Sequence, residues 1–214
     1  TLDDKKEKIS INIEISEGIQ YKLGKISFNE DVNILSDNDL NDVISMNEGD
    51  VFNRNLVIKN IQTLTDIYAD QGYAFVDIEP VTSEFLNSVN INFNISLNKK
   101  VYVNRISISG NTRTQDEVIR REIGVSEGGL YSRSVLRDSL NKLRRLGYFS
   151  DVQISTSEVK GTPDKIDIAF SVEETQTGSV SFSVSHSNNY GISFGAGVEE
   201  KNIFGSGNTL NASF

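Results

Sequence analysis

Two segments near the C-terminus alternate strictly between apolar and small residues. Val180, Phe182 and Val184 alternate with serine, and Ile192, Phe194, Ala196 and Val198 alternate with Ser or Gly. Successive side chains of a strand point to opposite faces, so this pattern predicts two strands with one apolar face and one Ser/Gly face. No Asp, Glu, Lys or Arg occurs from Gly178 to Val198. Upstream the period changes. Val57, Ile61, Leu64 and Tyr68 share one face of a helix, and Leu136, Leu140 and Leu143 share another. Gly72 and Gly147 follow these helices, where a left-handed cap favours glycine. Thr114 and Glu117 have capping-box spacing ahead of Val118, Ile119 and Ile123.

The pattern is used twice. "YKLGKISF" at Tyr21 is echoed by "YVNRISI" at Tyr102, "NEGDVFNR" at Asn47 by "SEGGLYSR" at Ser126, and "QGYAFVDI" at Gln71 by "LGYFSDVQI" at Leu146. Each unit closes on an alternating strand, "VNINFNISL" and "KIDIAFSVE". The order is strand, helix, helix, strand, strand, an α+β class. The first long helix carries an insertion of about one turn, which lengthens it without rotating its apolar face. Residues 19–99 and 100–174 form the two units. Residues 1–18, with "KISINIEIS", read as the final strand of a preceding unit, and 175–214 as a separate β segment reached through the linker "EETQT". The chain starts at Thr1 and stops at Phe214 inside an alternating run, as a fragment does.

Composition narrows the function. The net charge of -9 repels phosphate and argues against nucleic acid as a partner. No Cys is present, which removes disulfides, thiolate catalysis and Cys-ligated zinc, and His186 is the single histidine. Asp37, Asp39, Asn41 and Glu48 approach calcium-loop spacing, but Asp42 stands where the loop needs glycine, and Leu40, Val43 and Ile44 give the stretch a helical face. It reads as an acidic helix start. The pairs Glu173–Glu174 and Glu199–Glu200 read as solvated charge, and "GTPD" at Gly161 as a β-turn. No catalytic, metal or cofactor motif is found, and no enzyme is expected.

Repeated units with the "EG…Y/F…R…GY" pattern resemble POTRA domains. The last unit followed by "TGSVSFSVS", a turn and "GISFGAGVEEKNIFGSGNTL" resembles the BamA family of outer-membrane β-barrel assembly factors; the most specific element is "NIFGSGN" at Asn202. The resemblance implies tandem POTRA domains followed by the first antiparallel strands of a truncated transmembrane β-barrel. It places the POTRA domains in the periplasm and the barrel in the bacterial outer membrane. It implies three kinds of partner: unfolded outer-membrane proteins, accessory lipoproteins and the lipid bilayer. Val180, Phe182, Val184, Ile192, Phe194, Ala196 and Val198 then face lipid, where a charge costs about 2–4 kcal/mol at the midplane. The second-in-sequence strand of each unit is expected at a sheet edge, open to an added client strand. Those strands are 74–81, with Ala74, Phe75, Val76, Asp77 and Ile78, and 149–156, with Phe149, Val152 and Ile154. Arg120, Arg121 and Glu127 are the candidate lipoprotein contacts. The alternatives are a POTRA-barrel polypeptide secretion transporter and a soluble surface binding protein built of α+β modules.

Overall fold

The computed structural model describes residues 11–14, 18–188 and 191–214. The first unit contains β1 (Lys22–Glu30), α1 (Asp37–Val43), α2 (Arg54–Asp70), β2 (Asp77–Phe85) and β3 (Ser88–Ser96). The second contains β4 (Tyr102–Ser109), α3 (Asp116–Arg120), α4 (Arg133–Arg145), β5 (Phe149–Val159) and β6 (Thr162–Glu174). Three strands follow: β7 (Gly178–Ser187), β8 (Gly191–Ile203) and β9 (Asn208–Ser213). The predicted βααββ order is present twice. Most of the segment expected as a preceding unit's strand lies outside the described residues; 11–14 have no regular structure, and Ile11 and Ile13 are exposed.

Each unit folds around its last strand. The sheet orders are β1-β3-β2 and β4-β6-β5, with the central strand parallel to the first and antiparallel to the second. Alternation sets which face is buried. In β3, Val89, Ile91, Phe93 and Ile95 point into the core, while Asn90, Asn92 and Asn94 line the other face. In β6 the inward set is Ile166, Ile168, Phe170 and Val172. Val57, Leu64 and Tyr68 of α2 cover the first sheet, and Leu136 and Leu143 of α4 the second. Leu64 and Leu143 are fully buried, so truncation of either to Ala costs about 2–5 kcal/mol. The inserted turn is visible as 17 residues in α2 against 13 in α4. Gly72 and Gly147 have the expected positive φ, +97 and +72.

A buried polar residue at matching positions of the long helices ties down the loop after each short helix. Asn60 Oδ1 accepts the Ser45 N–H at 3.0 Å, and Ser139 Oγ accepts the Gly124 N–H at 2.9 Å. Tyr68 donates to Glu30 at 2.5 Å and anchors the end of β1 on α2. Burial and this carboxylate both push the ionisation of the Tyr68 hydroxyl above its ordinary range.

The acidic stretch from Asp37 starts a helix. Ser36 caps α1, and the Asp39 side chain accepts the Ser36 N–H in return. Two local expectations are corrected. Thr114 does not cap α3: Gln115 holds that position without a side-chain cap, because the Thr114 side chain is engaged elsewhere. The "GTPD" turn is shorter than expected. Gly161 turns at φ +82, and Pro163 and Asp164 already lie in β6.

Candidate functional site

β2 and β5 each pair on one side only, so both are sheet edges. The residues named on them divide by contact. Ala74 and Phe75 precede β2 and pack against the second unit's core; Val76 packs on the first unit's core. Asp77 opens β2, exposed, and Ile78 is buried. Phe149 and Val152 are buried and Ile154 packs on the same core. Of the apolar side chains named on the two edges, Ile78, Phe149, Val152 and Ile154 therefore face inward. Beside β2 runs a groove of about 380 Å3 lined by Phe52, Arg54, Val57, Ile58, Ile61, Pro80 and Thr82. Beyond it Val81, Phe85 and Leu86 are exposed at 46%, 68% and 83%.

Arg120, Glu127, Ile106, Ile123, Val125 and Ser126 surround a cleft of about 290 Å3 on the second unit. Both charged residues there are already engaged. Arg120 pairs with Asp116 at 2.6 Å and donates to the Ile106 carbonyl at 3.3 Å. Glu127 accepts the Ile106 N–H at 2.8 Å, a donor displaced by the irregularity between Val103 and Arg105 in β4. Arg121 lies apart from this cleft. Its guanidinium covers Gly207 of the β8–β9 turn, and it pairs with Glu122 at 3.5 Å.

In the third sheet Val180 is opposite Val198, Phe182 opposite Ala196, and Val184 opposite Phe194. Phe182 and Phe194 are 82% and 77% exposed, so this apolar face has no cover within the described residues. On the other face Ser181 and Ser183 meet Gly197 and Gly195, where an added Cβ would crowd the serine hydroxyls. Among the described residues no helix is long and apolar enough to cross a membrane, which leaves crossing by strands open.

Two junctions were not anticipated from sequence. At the first, Asp70 at the end of α2 accepts the Ser134 N–H at 2.7 Å and the Ser132 hydroxyl at 2.9 Å, so one unit caps the next unit's helix. Asp66, one turn earlier, pairs with Arg133 at 3.4 Å and Arg137 at 3.1 Å. Leu130 packs over Gly72. Burial works against the Asp70 charge, but the bonds from Ser134 and Ser132 and the Arg137 charge outweigh it and hold its carboxyl below the usual range. The signal was present as acidic residues four apart on α2 and basic residues four apart on α4.

At the second junction the β8–β9 turn docks on the second unit. Gln115 N–H donates to the Gly205 carbonyl at 2.9 Å, Asn202 Nδ2 to Thr114 Oγ1 at 2.9 Å, and Tyr148 to the Gly207 carbonyl at 3.2 Å. Asn202 Oδ1 accepts the Gly207 N–H at 2.8 Å and closes the turn on itself. Glu174 braces the receiving loop by accepting from the Thr112 hydroxyl and from the Arg113 and Thr114 amides. Its burial opposes ionisation, and those bonds together hold its carboxyl below the usual range.

A family model described as POTRA, surface antigen variable number repeat, matches residues 21–96 and 101–175. The chain belongs to the POTRA family. The two βααββ units are its POTRA units, and similarity to known proteins extends past them into the third sheet. The outer membrane protein assembly factor BamA of Neisseria meningitidis serogroup B is 32% identical over 207 residues, 96% of this chain and 26% of that protein. BamA of Buchnera aphidicola is 32% identical over 211 residues, 98% of this chain and 34% of that protein. The chain thus spans about a quarter to a third of these relatives' length. The crystal structure of BamA from Haemophilus ducreyi lacking POTRA domains 1–3 superposes with a TM-score of 0.80 at 29% identity, over 91% of this chain and 37% of that one.

Proposed function

We propose that this chain is the barrel-proximal part of an outer-membrane protein assembly factor. Its two POTRA units work in the periplasm, and β7–β9 begin the membrane barrel. The observation that carries this reading is the extent of the similarity: it covers 96% of the chain, hairpin included, in a relative named as an assembly factor. The physical pattern supports it. An exposed apolar face opposed by a Ser/Gly face is what a barrel strand needs, with lipid on one side and a lumen on the other. The docked β8–β9 turn then joins the periplasmic units to that barrel. Unfolded client proteins pair as extended strands with the outward backbone of β2, using the groove beside it for alternate side chains. The cleft of Arg120 and Glu127 accepts an accessory lipoprotein. The work done is strand exchange and burial, with no nucleotide or cofactor.

The test is a pair of charges on the lipid face of the full-length protein, Phe182→Lys with Phe194→Lys. Each is expected to cost about 2–4 kcal/mol at bilayer depth. The variant should lose assembly of an unfolded eight-stranded barrel protein into liposomes while its POTRA units keep their protease resistance. A variant that inserts and assembles clients normally would overturn the reading.

A further inference from the structure

The outward backbone of β5 is already occupied at one residue. Val152 N–H donates to Asp151 Oδ1 at 2.8 Å, and Val152 C=O accepts from Arg144 Nη2 at 3.0 Å. Both groups point away from β6, so they are the ones an incoming strand would use. Arg144 also approaches Asp151 at 3.9 Å, and Gln153 Nε2 donates to Asp151 Oδ2 at 2.7 Å. Two polar side chains, Asp151 and Arg144, thus take the Val152 groups that a neighbouring strand's amides would use, and Gln153 holds Asp151 in place. In the first unit Ile78 holds the matching register, opposite Ile95 as Val152 is opposite Val172. Asp77 precedes it as Asp151 precedes Val152, but Ala69 stands where α4 has Arg144, three residues before the capping glycine. Ala69 is buried, and among the described residues no side chain bonds to the Ile78 backbone.

We infer that Arg144, with Asp151 and Gln153, is an autoinhibitory guard that closes the β5 edge to added strands and leaves strand capture to β2. The inference rests on the proposed client-binding function and assigns it to one edge. The guard is reversible, because Arg144 and Asp151 are half-exposed and their mutual attraction is weak in water. A bound partner that draws Arg144 away would open β5 as a second edge.

The experiment uses the full-length protein with a photo-crosslinking residue at Val81, on β2, or at Ser155, on β5. The probe is a urea-unfolded eight-stranded outer-membrane barrel protein. Wild type should crosslink at Val81 and weakly at Ser155. Arg144→Ala and Asp151→Ala should each raise the Ser155 yield roughly fivefold, the change that one lost competing hydrogen bond represents. Arg145→Ala, on the exposed neighbour, should leave it unchanged. Amide exchange at Val152 is read in parallel and should quicken in Asp151→Ala. Equal crosslinking at both positions in wild type, or folded guard variants with no gain at Ser155, overturns the guard. Unchanged Val152 exchange in Asp151→Ala overturns it as well, whatever the clients do. If Val81 fails to crosslink while Ser155 gains in the guard variants, the β2 capture reading falls and the guard stands.

Discussion

The two POTRA units share a register and a core but differ in what surrounds them. The second unit is held on two sides. Asp66 and Asp70 clasp the start of α4, and the β8–β9 turn occupies Thr114, Gln115 and Tyr148. Its β5 edge is capped at Val152 by its own side chains. The first unit keeps an apolar groove beside an uncovered edge, with Phe85 and Leu86 bare at the hairpin tip. One fold thus serves two ends. On the proposed function, polar surface is consumed by neighbours at the end that meets the barrel. On the same reading, backbone is left available at the end that meets clients.

The comparison breaks most severely at Gly205. Its φ is +71, and a Cβ there would collide with the Arg113 carbonyl. Gly205→Ala should therefore undock the turn and cost about 3 kcal/mol or more of junction stability. Gly49, in the loop of the first unit, also has positive φ, +92, but open space around it. Gly49→Ala should cost only the conformational term, about 1 kcal/mol. Urea unfolding of the full-length protein in detergent, read with a disulfide reporter between positions 115 and 204, separates the two. Equal losses for both variants would mean that the turn is not clamped.

The joint between units comes next. Asp70→Ala removes the acceptor shared by the Ser134 amide and the Ser132 hydroxyl, and should weaken coupling by about 1–2 kcal/mol. Spin labels on α2 and α4 should show a broadened inter-unit distance, with each unit still folded. Acid should do the same. Asp70 and Glu174 both have carboxyls held below the usual range. A depressed carboxyl contributes stability above its unfolded pKa of about 4, and that contribution is lost as pH falls through the folded value. Both junctions should therefore loosen below about pH 4 while the cores persist. A distance distribution that stays narrow at pH 3 would show that the apolar packing of Leu130 over Gly72 and of Ala74 and Phe75 on the second core is sufficient.

The repeat and the helix insertion were legible because each is written in local period: apolar spacing, capping glycines, alternating strands; the edges followed from the POTRA resemblance. The exposed apolar face of β7 and β8 was legible for the same reason. The junctions were not, since each depends on residues far apart in sequence. Thr114 looked like a helix cap, and its hydroxyl is instead taken by Asn202, 88 residues later. Glu127 was expected as a lipoprotein contact in an exposed loop, yet a backbone irregularity in β4 gives it an amide to accept. Arg144 was one arginine among several on α4, and only the fold brings it onto the Val152 carbonyl. The same limit applies to Ala74 and Phe75, whose place in the repeat suggested an edge while packing puts them against the other unit.

The smallest expected effect is the sharpest test of what keeps β2 usable. Pro80 sits opposite Phe93, two residues from Ile78, so it shares the outward backbone set. A proline is tolerated there because its missing N–H belongs to the side with no partner strand. The β2 edge therefore lacks one donor, a permanent blunting where β5 has a removable one. Pro80→Ala restores that donor. Stability should fall by less than about 1 kcal/mol, since the change acts chiefly through the freedom of the unfolded chain. Client crosslinking at Val81 should rise about two- to fivefold from the one added hydrogen bond, and self-association at high concentration should rise with it. Combined with Arg144→Ala, the variant has both edges open, and the two gains should be independent because the sites share no hydrogen-bond partner. A single mutation that raised crosslinking at both Val81 and Ser155 would mean that the edges act as one surface, and the division of labour between the units would not hold.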